Sequence, residues 1–335
     1  MTSVRKERDA DAPSGENELA SVADRGCKKP HPLVRVGQML GRYRLDEIIG
    51  TGAFSTVFRA HDTALDLPVV VKVLSNDASP DAVERFRREI VFSRRVAHAG
   101  FSRIFELHEE GSDGKDGPLR YLTLELVEGR TLGDLMNEGQ MPERRALAIA
   151  RDLCDIVAAA HDQGVVHGDL KPSNVMVRNS VRRNVTDRRQ EPRDDLVILD
   201  FGAASAADMA NAGVRVGSVR YMAPELFEAD STSRQTDVWA IGVVLYGCLT
   251  GRFPFDGEGD RAVAEATRRT SPKAPSSVSP RVSSMVDAVV LRALRRERSD
   301  RYSDCRAFKR ALDEVLVELR TPSLWQRLLR LVKPL

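Results

Sequence analysis

Apolar and polar positions follow different patterns in the two halves of the chain. Up to about residue 128, apolar residues come in short runs rich in β-branched side chains, at 43–49, 57–61, 69–74 and 121–124. Runs of this length between polar turns predict β-strands. The segment 80–96 instead places Phe86, Ile90 and Ala97 close to one helical stripe. The first half therefore predicts a small sheet with one helix, beginning near Gly41.

After residue 128 the apolar spacing becomes helical. Pro142 introduces a segment, 144–163, whose apolar residues recur every three or four positions, which predicts a long amphipathic helix. The segment 239–249 is almost continuously apolar and predicts a buried helix. Helical patterns at 282–295 and 305–319 complete a mainly helical unit. We therefore predict an α+β protein with a small strand-rich first lobe and a larger helical second lobe.

Composition narrows the class of protein. A chain of 335 residues is too long for one typical domain, which agrees with two lobes. A net charge of +2 favours neither a nucleic-acid partner nor a strongly acidic ligand. The four cysteines are far apart and form no CxxC pair, so we expect reduced thiols in a cytoplasmic protein. No apolar run has the length of a membrane span, and no apolar segment follows the N-terminus as in a secretory signal.

Both ends of the chain lack a core pattern. The first 36 or so residues mix charged residues with serine and proline, so we expect a disordered tail over 1–40. At the other end, in a tail predicted over 319–335, the segment 322–333 is basic and amphipathic if helical. It docks on the second lobe in one interpretation, and contacts an anionic membrane surface or a partner in the other.

The most informative stretch is 167–174, which reads HGDLKPSN. It places Asp169, Lys171 and Asn174 on a loop, because a proline at the sixth position ends any helix there. Apolar runs just before it and at 196–199 are expected to be strands that deliver Asp169 and Asp200. An acid that orients a hydroxyl, together with an amide oxygen and a second acid that hold a divalent cation, suits phosphoryl transfer.

Two features of the first half suit a phosphate-bearing ligand. Gly50 and Gly52 lie between two predicted strands and permit a tight turn whose N–H groups approach phosphates, although a plain hairpin gives the same pattern. Lys72 interrupts an apolar strand. Because burial of an unpaired ammonium is costly, Lys72 lies either at an exposed edge or beside an anion. Glu89 on the predicted helix is the available partner.

Together these motifs resemble those of the eukaryotic-like (Hanks-type) bacterial Ser/Thr protein kinases. The resemblance covers about residues 41–318. It rests on GTGAFS at 50–55, VVK at 70–72, Glu89, DLKPSN at 169–174, DFG at 200–202, APE at 223–225 and DVWAIG at 237–242. It implies the bilobal protein-kinase fold, with an N-lobe over 41–128 and a C-lobe over 129–318. It also implies ATP as phosphoryl donor, Mg²⁺ or Mn²⁺ as cation, and protein Ser/Thr hydroxyls as acceptors.

The resemblance assigns roles to single residues. Asp169 would position the acceptor hydroxyl, and Lys171 would neutralise the transferred group. Asn174 and Asp200 would hold the metal. The implied nucleotide-binding set comprises Ile49, Gly50, Thr51, Gly52, Ala53, Phe54, Ser55, Val57, Val70, Lys72, Glu89, Glu125 and Val127. In that set Lys72 would contact the α- and β-phosphates, and the backbone of Glu125 and Val127 would bind adenine.

One departure from the family pattern bears on regulation. Gly168 stands where most protein kinases have an arginine that meets a phosphate on the activation loop. The segment 203–216 contains no threonine and one serine, Ser205. We therefore expect activity without activation-loop phosphorylation.

A second departure is a polar insert at about 178–195, with six arginines and four acids. It lengthens the separation of Asn174 and Asp200 to 26 positions. A solvated surface loop is one interpretation, and a docking loop for a partner is the other.

Two other functions remain open at this stage. Small-molecule phosphotransferases of the antibiotic-kinase type also show HGD with an asparagine five residues after the aspartate. Lys171, the APE segment and the DVW segment belong instead to protein kinases. A pseudokinase that acts as a scaffold is the other alternative, against which the complete catalytic set stands.

Overall fold

A computed structural model describes residues 34–52, 55–75, 78–111, 118–179, 194–200, 219–228 and 231–319. Several predictions fall outside these residues. They concern most of the tail 1–40, Ala53 and Phe54 of the glycine-rich turn, most of the insert 178–195, Ser205, and all but the first residue of the tail 319–335.

An antiparallel sheet forms the N-lobe. Its strands are β1 (Met39–Leu40), β2 (Tyr43–Thr51), β3 (Ser55–Asp62), β4 (Leu67–Leu74), β5 (Ile104–Glu110) and β6 (Leu119–Glu125), in the order β1-β2-β3-β4-β6-β5. Alternate residues along a strand face opposite sides. Accordingly Val71 packs into a buried cluster with Phe58, while Leu74 packs with Phe86 of helix α1 (Pro80–Arg95). The predicted strands and helix of the first half are confirmed.

Residues 34–40 are ordered against this sheet and not part of a disordered tail, so that prediction is wrong over this range. Val34 is 1% exposed in the N-lobe core, and Leu40 pairs with Tyr43. Gly41, with φ of 53°, allows the tight connection between the two strands. A two-residue strand gives too few apolar positions for any periodicity to reveal it.

The C-lobe is built around three long helices, α3 (Glu143–Asp162), α4 (Arg234–Thr250) and α8 (Cys305–Glu318). Shorter helices surround them: α2 (Leu132–Asn137), α5 (Asp260–Arg269), α6 (Pro275–Val278) and α7 (Asp287–Ala293). Every residue of α4 from Thr236 to Thr250 is buried, which explains its nearly continuous apolar pattern. A capping box of Ser233 and Thr236 begins α4, and Gly251 ends it with φ of 69°. Within the described residues no helix combines the length and the apolar composition that crossing a bilayer requires.

A second, small sheet lies beside the catalytic segment. It consists of β7 (Gly129–Thr131), β8 (Val175–Arg178) and β9 (Leu196–Ile198), in that order. The predicted strand at 164–166 is wrong, because this apolar run caps α3. Gly164 has φ of 70°, and the Val165 N–H donates to the Ala160 carbonyl at 3.0 Å. Val165 is 2% exposed, so its apolar character reflects burial beneath the helix end.

Candidate active site

Lys72 lies at the centre of the cleft side of the N-lobe sheet. On β4 it pairs with Val57 of β3 and Leu122 of β6. Its Nζ atom donates to both carboxylate oxygens of Glu89 at 2.8 Å and lies 3.4 Å from Oδ2 of Asp200. The Lys72 side chain is 15% exposed. Of the two sequence-based alternatives, the structure therefore supports the buried lysine that meets an anion.

The charges of Lys72, Glu89 and Asp200 shift one another's pKa values. Burial alone would lower the pKa of Lys72, but the carboxylates of Asp200 and Glu89 raise it above its ordinary value. Burial alone would raise the pKa of Asp200, but Lys72 and other nearby cations hold it far below its usual range. Burial and the Asp200 carboxylate raise the pKa of Glu89 to about 8 despite Lys72. The Lys72 ammonium therefore keeps Asp200 charged, while Glu89 takes up a proton more readily than an ordinary glutamate.

The loop 167–174 brings three predicted residues together. Lys171 Nζ donates to Oδ2 of Asp169 at 3.0 Å, with both side chains less than a fifth exposed. Asn174 Nδ2 donates to the backbone carbonyl of Asp169 at 3.2 Å. A 3₁₀ turn at Pro172–Asn174 fixes the spacing, and the Asn174 N–H donates to the Lys171 carbonyl at 2.9 Å.

Asp200 reaches this loop through the small sheet. Strand β8 begins directly after Asn174, and the Leu199 N–H donates to the Asn174 carbonyl at 2.9 Å. The Leu199 carbonyl accepts from the Ser102 hydroxyl at 2.9 Å. Because Asp200 follows Leu199, this backbone bond brings Asp200 close to Asn174 along the small sheet although 26 positions separate them in sequence. An amide oxygen and a carboxylate are the hard oxygen donors that Mg²⁺ accepts, so these two residues fit the predicted metal pair.

Asp237 of α4 anchors the loop 167–174 by hydrogen bonds that sequence reasoning missed. Asp237 is fully buried. Its carboxylate accepts from the backbone N–H of His167 at 2.9 Å and of Gly168 at 2.8 Å, and lies 2.7 Å from His161 Nε2. An aspartate in a nearly all-apolar helix was the available signal, because a buried carboxylate requires such partners.

The glycine-rich turn connects β2 to β3, the strand that pairs with the strand of Lys72. The Gly52 N–H donates to the Ser55 carbonyl at 2.7 Å, so the two described ends of the turn lie close together. Ile49, just before it, is 48% exposed, and Thr51 is exposed as well. Val57 and Val70 are half-buried, while Leu124 and Val127 are buried. Of these positions, Val57 pairs directly with Lys72, and Val70 pairs with Leu124.

The segment after β6 is anchored by a residue that sequence reasoning assigned only to the polar insert. Arg178 Nη2 donates to Oε1 of Glu125 at 2.8 Å. The Arg103 N–H donates to Oε2 of the same carboxylate at 3.3 Å. The Asn179 N–H donates to the Glu128 carbonyl at 3.1 Å. The root of the insert is therefore tied to the segment that holds the predicted adenine-binding residues.

A buried ion pair stabilises the C-lobe away from the cleft. Arg301 has a fully buried side chain and donates to Glu225 through Nη1 at 2.9 Å and Nη2 at 2.7 Å. Thr236 Oγ1 donates to the same carboxylate at 3.1 Å. This ion pair joins the APE segment to the segment just before α8.

Comparison with known sequences gives a consistent result. Residues 43–314 match the family described as protein kinase domain. The chain is 34% identical over 273 residues to the probable serine/threonine-protein kinase PknB of Corynebacterium glutamicum, covering 78% of this chain and 40% of that protein. It is 33% identical over 276 residues to the serine/threonine-protein kinase PksC of Streptomyces coelicolor, with 80% and 48% covered. It is 35% identical over 271 residues to PknB of Mycobacterium tuberculosis, with 78% and 41% covered. The chain thus spans less than half the length of these curated relatives.

Comparison with solved structures concerns the fold. The crystal structure of the Mycobacterium tuberculosis PknI kinase domain superposes with a TM-score of 0.62 at 23% identity, covering 84% of this chain and 99% of that one. The likeness shows that the described lobes have the same architecture.

Proposed function

This chain belongs to the protein kinase family, and from that premise we propose that it transfers the γ-phosphoryl group of ATP to Ser or Thr hydroxyls of proteins. The observation that carries the proposal is the position of Lys72. Its ammonium lies within 2.8 Å of Glu89 and 3.4 Å of Asp200, so the two lobes contribute to one polar centre. The names of the relatives, which are serine/threonine-protein kinases, support the acceptor class.

On the nucleotide side, Lys72 binds the α- and β-phosphates and Glu89 fixes its orientation. The turn at 50–55 covers the phosphates, and Ile49, Val57 and Val70 enclose the base. The backbone groups of Glu125 and Val127 form hydrogen bonds with adenine. The half-buried Val57 and Val70, and the hinge (residues 125–127) that the Arg178–Glu125 ion pair anchors, position these groups before the nucleotide arrives, which lowers the entropy cost of binding.

On the acceptor side, Asp169 orients the substrate hydroxyl and accepts its proton, while Lys171 beside it stabilises charge on the transferred group. Asn174 and Asp200 hold the cation through oxygen atoms. When bound, Mg²⁺ offsets the negative charge of the phosphates. The contribution of the chain is thus positioning and electrostatic stabilisation, as this chemistry requires.

A transfer assay tests this function. The whole chain is incubated with radiolabelled ATP and a generic protein substrate, beside Asp169→Ala and a control, Asp155→Ala, at a half-exposed position on α3. We expect label in protein with the wild type and the control, and none above background with Asp169→Ala. Equal labelling by Asp169→Ala would contradict the proposal. Nucleotide binding without any transfer would indicate a scaffold.

Independence from activation-loop phosphorylation is part of the proposal. Gly168 offers no guanidinium to an activation-loop phosphate, and Ser205, outside the described residues, is the one hydroxyl residue in 203–216. Phosphatase treatment and Ser205→Ala should therefore leave the turnover rate unchanged. A many-fold fall in either case would contradict this.

We also propose a cytoplasmic location, with the segment 322–333 docked on the C-lobe. Liposome flotation of the whole chain beside a chain ending at Thr321 tests this. We expect neither protein to float, and flotation of the whole chain alone would indicate peripheral membrane contact.

A further inference from the structure

A cavity of about 430 Å³ opens on the surface of the C-lobe, remote from the active site. It lies where the start of α4, the end of α7 and helix α8 meet. Four of its lining residues are arginines: Arg292, Arg298, Arg301 and Arg310. The one acid that lines it is Glu314.

Two of the arginines are already engaged by the protein. Arg301 uses its guanidinium N–H groups on Glu225 and on the carbonyls of Gln235, Arg295 and Arg296. Arg298 has its Nε 3.3 Å from a Glu225 oxygen and donates through Nη2 to the Ser231 carbonyl at 2.7 Å. These two side chains form a positive inner wall held in place by the fold.

The other two arginines line the mouth and are exposed. The guanidinium of Arg292 lies 4.5 Å from the ring centroid of Tyr302, and this stacking leaves its N–H groups available. Arg310 and Glu314 lie four residues apart on α8, yet no ion pair joins them within 4 Å. Within the described residues, the side chains of Arg292 and Arg310 form no ion pair and no hydrogen bond.

The charge around the cavity is not balanced. The four guanidinium groups face two carboxylates, Glu225 and Glu314, which leaves a net charge of +2. A phosphate monoester dianion carries the matching charge at neutral pH. Its tetrahedral oxygens accept from guanidinium groups on two different helices, whereas a carboxylate presents two oxygens in one plane to a single guanidinium.

We propose that this cavity is a binding site for a phosphate group, with Arg292 and Arg310 as its donors and Arg298 and Arg301 as its positive inner wall. The phosphate is either the side-chain ester of a phosphorylated protein segment or the free ion. Glu314 weakens binding, because its carboxylate faces the same anion.

Calorimetric titration of the whole chain tests the proposal, with the nucleotide site filled by a non-hydrolysable ATP analogue. The probes are inorganic phosphate, a phosphoserine peptide and the same peptide without phosphate. We expect the first two to bind and the third not to bind. Tighter binding of the phosphopeptide identifies a protein source, and equal binding identifies the free ion.

Three variants locate the site. Arg310→Gln should weaken phosphate binding at least about tenfold, since a charge-assisted hydrogen bond is lost. Glu314→Gln should strengthen it. Arg261→Gln, an exposed position on α5 outside the cavity, removes the same charge and should change nothing. Unchanged affinity in either Arg310→Gln or Glu314→Gln would overturn the proposal.

A change in phosphate binding can be told apart from a loss of folding or of catalytic activity. Arg310 is exposed and its side chain forms no ion pair or hydrogen bond within the described residues, so the melting of Arg310→Gln should match the wild type and its titration reports binding alone. Asp169→Ala should bind phosphate as the wild type does, because no active-site residue lines the cavity. Failure of the phosphoryl-transfer assay therefore leaves this site testable.

Discussion

The carboxylate of Asp237 lies 2.7 Å from Nε2 of His161, and both side chains are buried beneath the catalytic loop. The same carboxylate accepts the backbone N–H groups of His167 and Gly168. The buried Asp237 side chain on α4 therefore fixes the backbone position of the loop that carries Asp169. The position of Asp169, the proposed acceptor-orienting residue, therefore depends on a side chain that lies below the loop.

We predict that Asp237→Asn lowers both stability and turnover. The amide replaces one accepting oxygen with a donor, so at least one buried N–H group loses its partner. The expected loss is about 2–4 kcal/mol in the free energy of unfolding, measured by urea denaturation. Turnover should fall more than ATP affinity, because Lys72 and Glu89 lie in the other lobe.

The matched control is Asp155→Asn on α3, whose ion pair with Lys309 is half-exposed. It should cost less than about 1 kcal/mol. Equal effects of the two changes on unfolding and turnover would argue against the loop-anchoring role of Asp237.

Because Arg178, the first residue of the polar insert, contacts Glu125, we predict that Arg178 affects the affinity for ATP. Arg178→Gln and Glu125→Gln should each raise the Kd for ATP by about two- to fivefold, because the hinge loses a partly exposed ion pair. The double variant should be no worse than either single variant, since both remove the same interaction. Fluorescent-nucleotide titration measures the three constants.

Arg130→Gln provides the comparison for this cycle. Arg130 on β7 forms an ion pair with Glu138, which directly follows α2, and both side chains are exposed. Its removal should leave the Kd for ATP unchanged. Additive effects of Arg178→Gln and Glu125→Gln would indicate that the two residues act separately.

Much of this architecture was accessible from the sequence, because apolar periodicity reports burial directly. The strands around Lys72 and the helix bearing Glu89 appeared where predicted, since β-branched runs and a 3.6-residue stripe are local signals. Local patterns could not separate a buried helix cap from a strand, so the run at 164–166 was misassigned. They also gave no sign that Leu40 pairs with Tyr43.

The contacts that support the site were harder to predict, because they join distant segments. His161 and Asp237 are 76 positions apart, and Glu125 and Arg178 are 53 positions apart. A single sequence does not show which of its distant positions lie close together in space. The aspartate within an apolar helix and the arginine at the start of a polar insert were visible, but their partners were not.

The buried pair of Glu225 and Arg301 predicts a specific dependence of stability on pH. Burial alone would raise the pKa of Glu225, but the hydrogen bonds and charge of Arg301 hold it below its ordinary value of about 4.5. A lowered folded-state pKa stabilises the protein above pH 4.5, and this stabilisation is lost as the pH falls through the folded-state value. We therefore expect Glu225→Gln to cost about 3–5 kcal/mol at pH 7 and progressively less towards pH 3.

Urea denaturation at several pH values between 7 and 3 measures this difference. Glu265→Gln is the control, since Glu265 forms an exposed ion pair with Arg269 on α5. Its cost should stay below about 1 kcal/mol at every pH. A cost of Glu225→Gln that did not change with pH would show that the charge of Glu225 is not what Arg301 requires.

Gly168 predicts a backbone effect that is separate from regulation. Its φ of 75° lies in the left-handed region, which alanine enters only at a cost. Gly168→Ala should therefore destabilise the protein by about 1–2 kcal/mol and lower turnover, because Asp169 is the next residue. Asparagine tolerates this region better, so Gly168→Asn should be closer to the wild type in both measurements. Urea denaturation and the transfer assay report the two quantities. If alanine and asparagine were equally harmful, the added side chain rather than the backbone angle would be the cause.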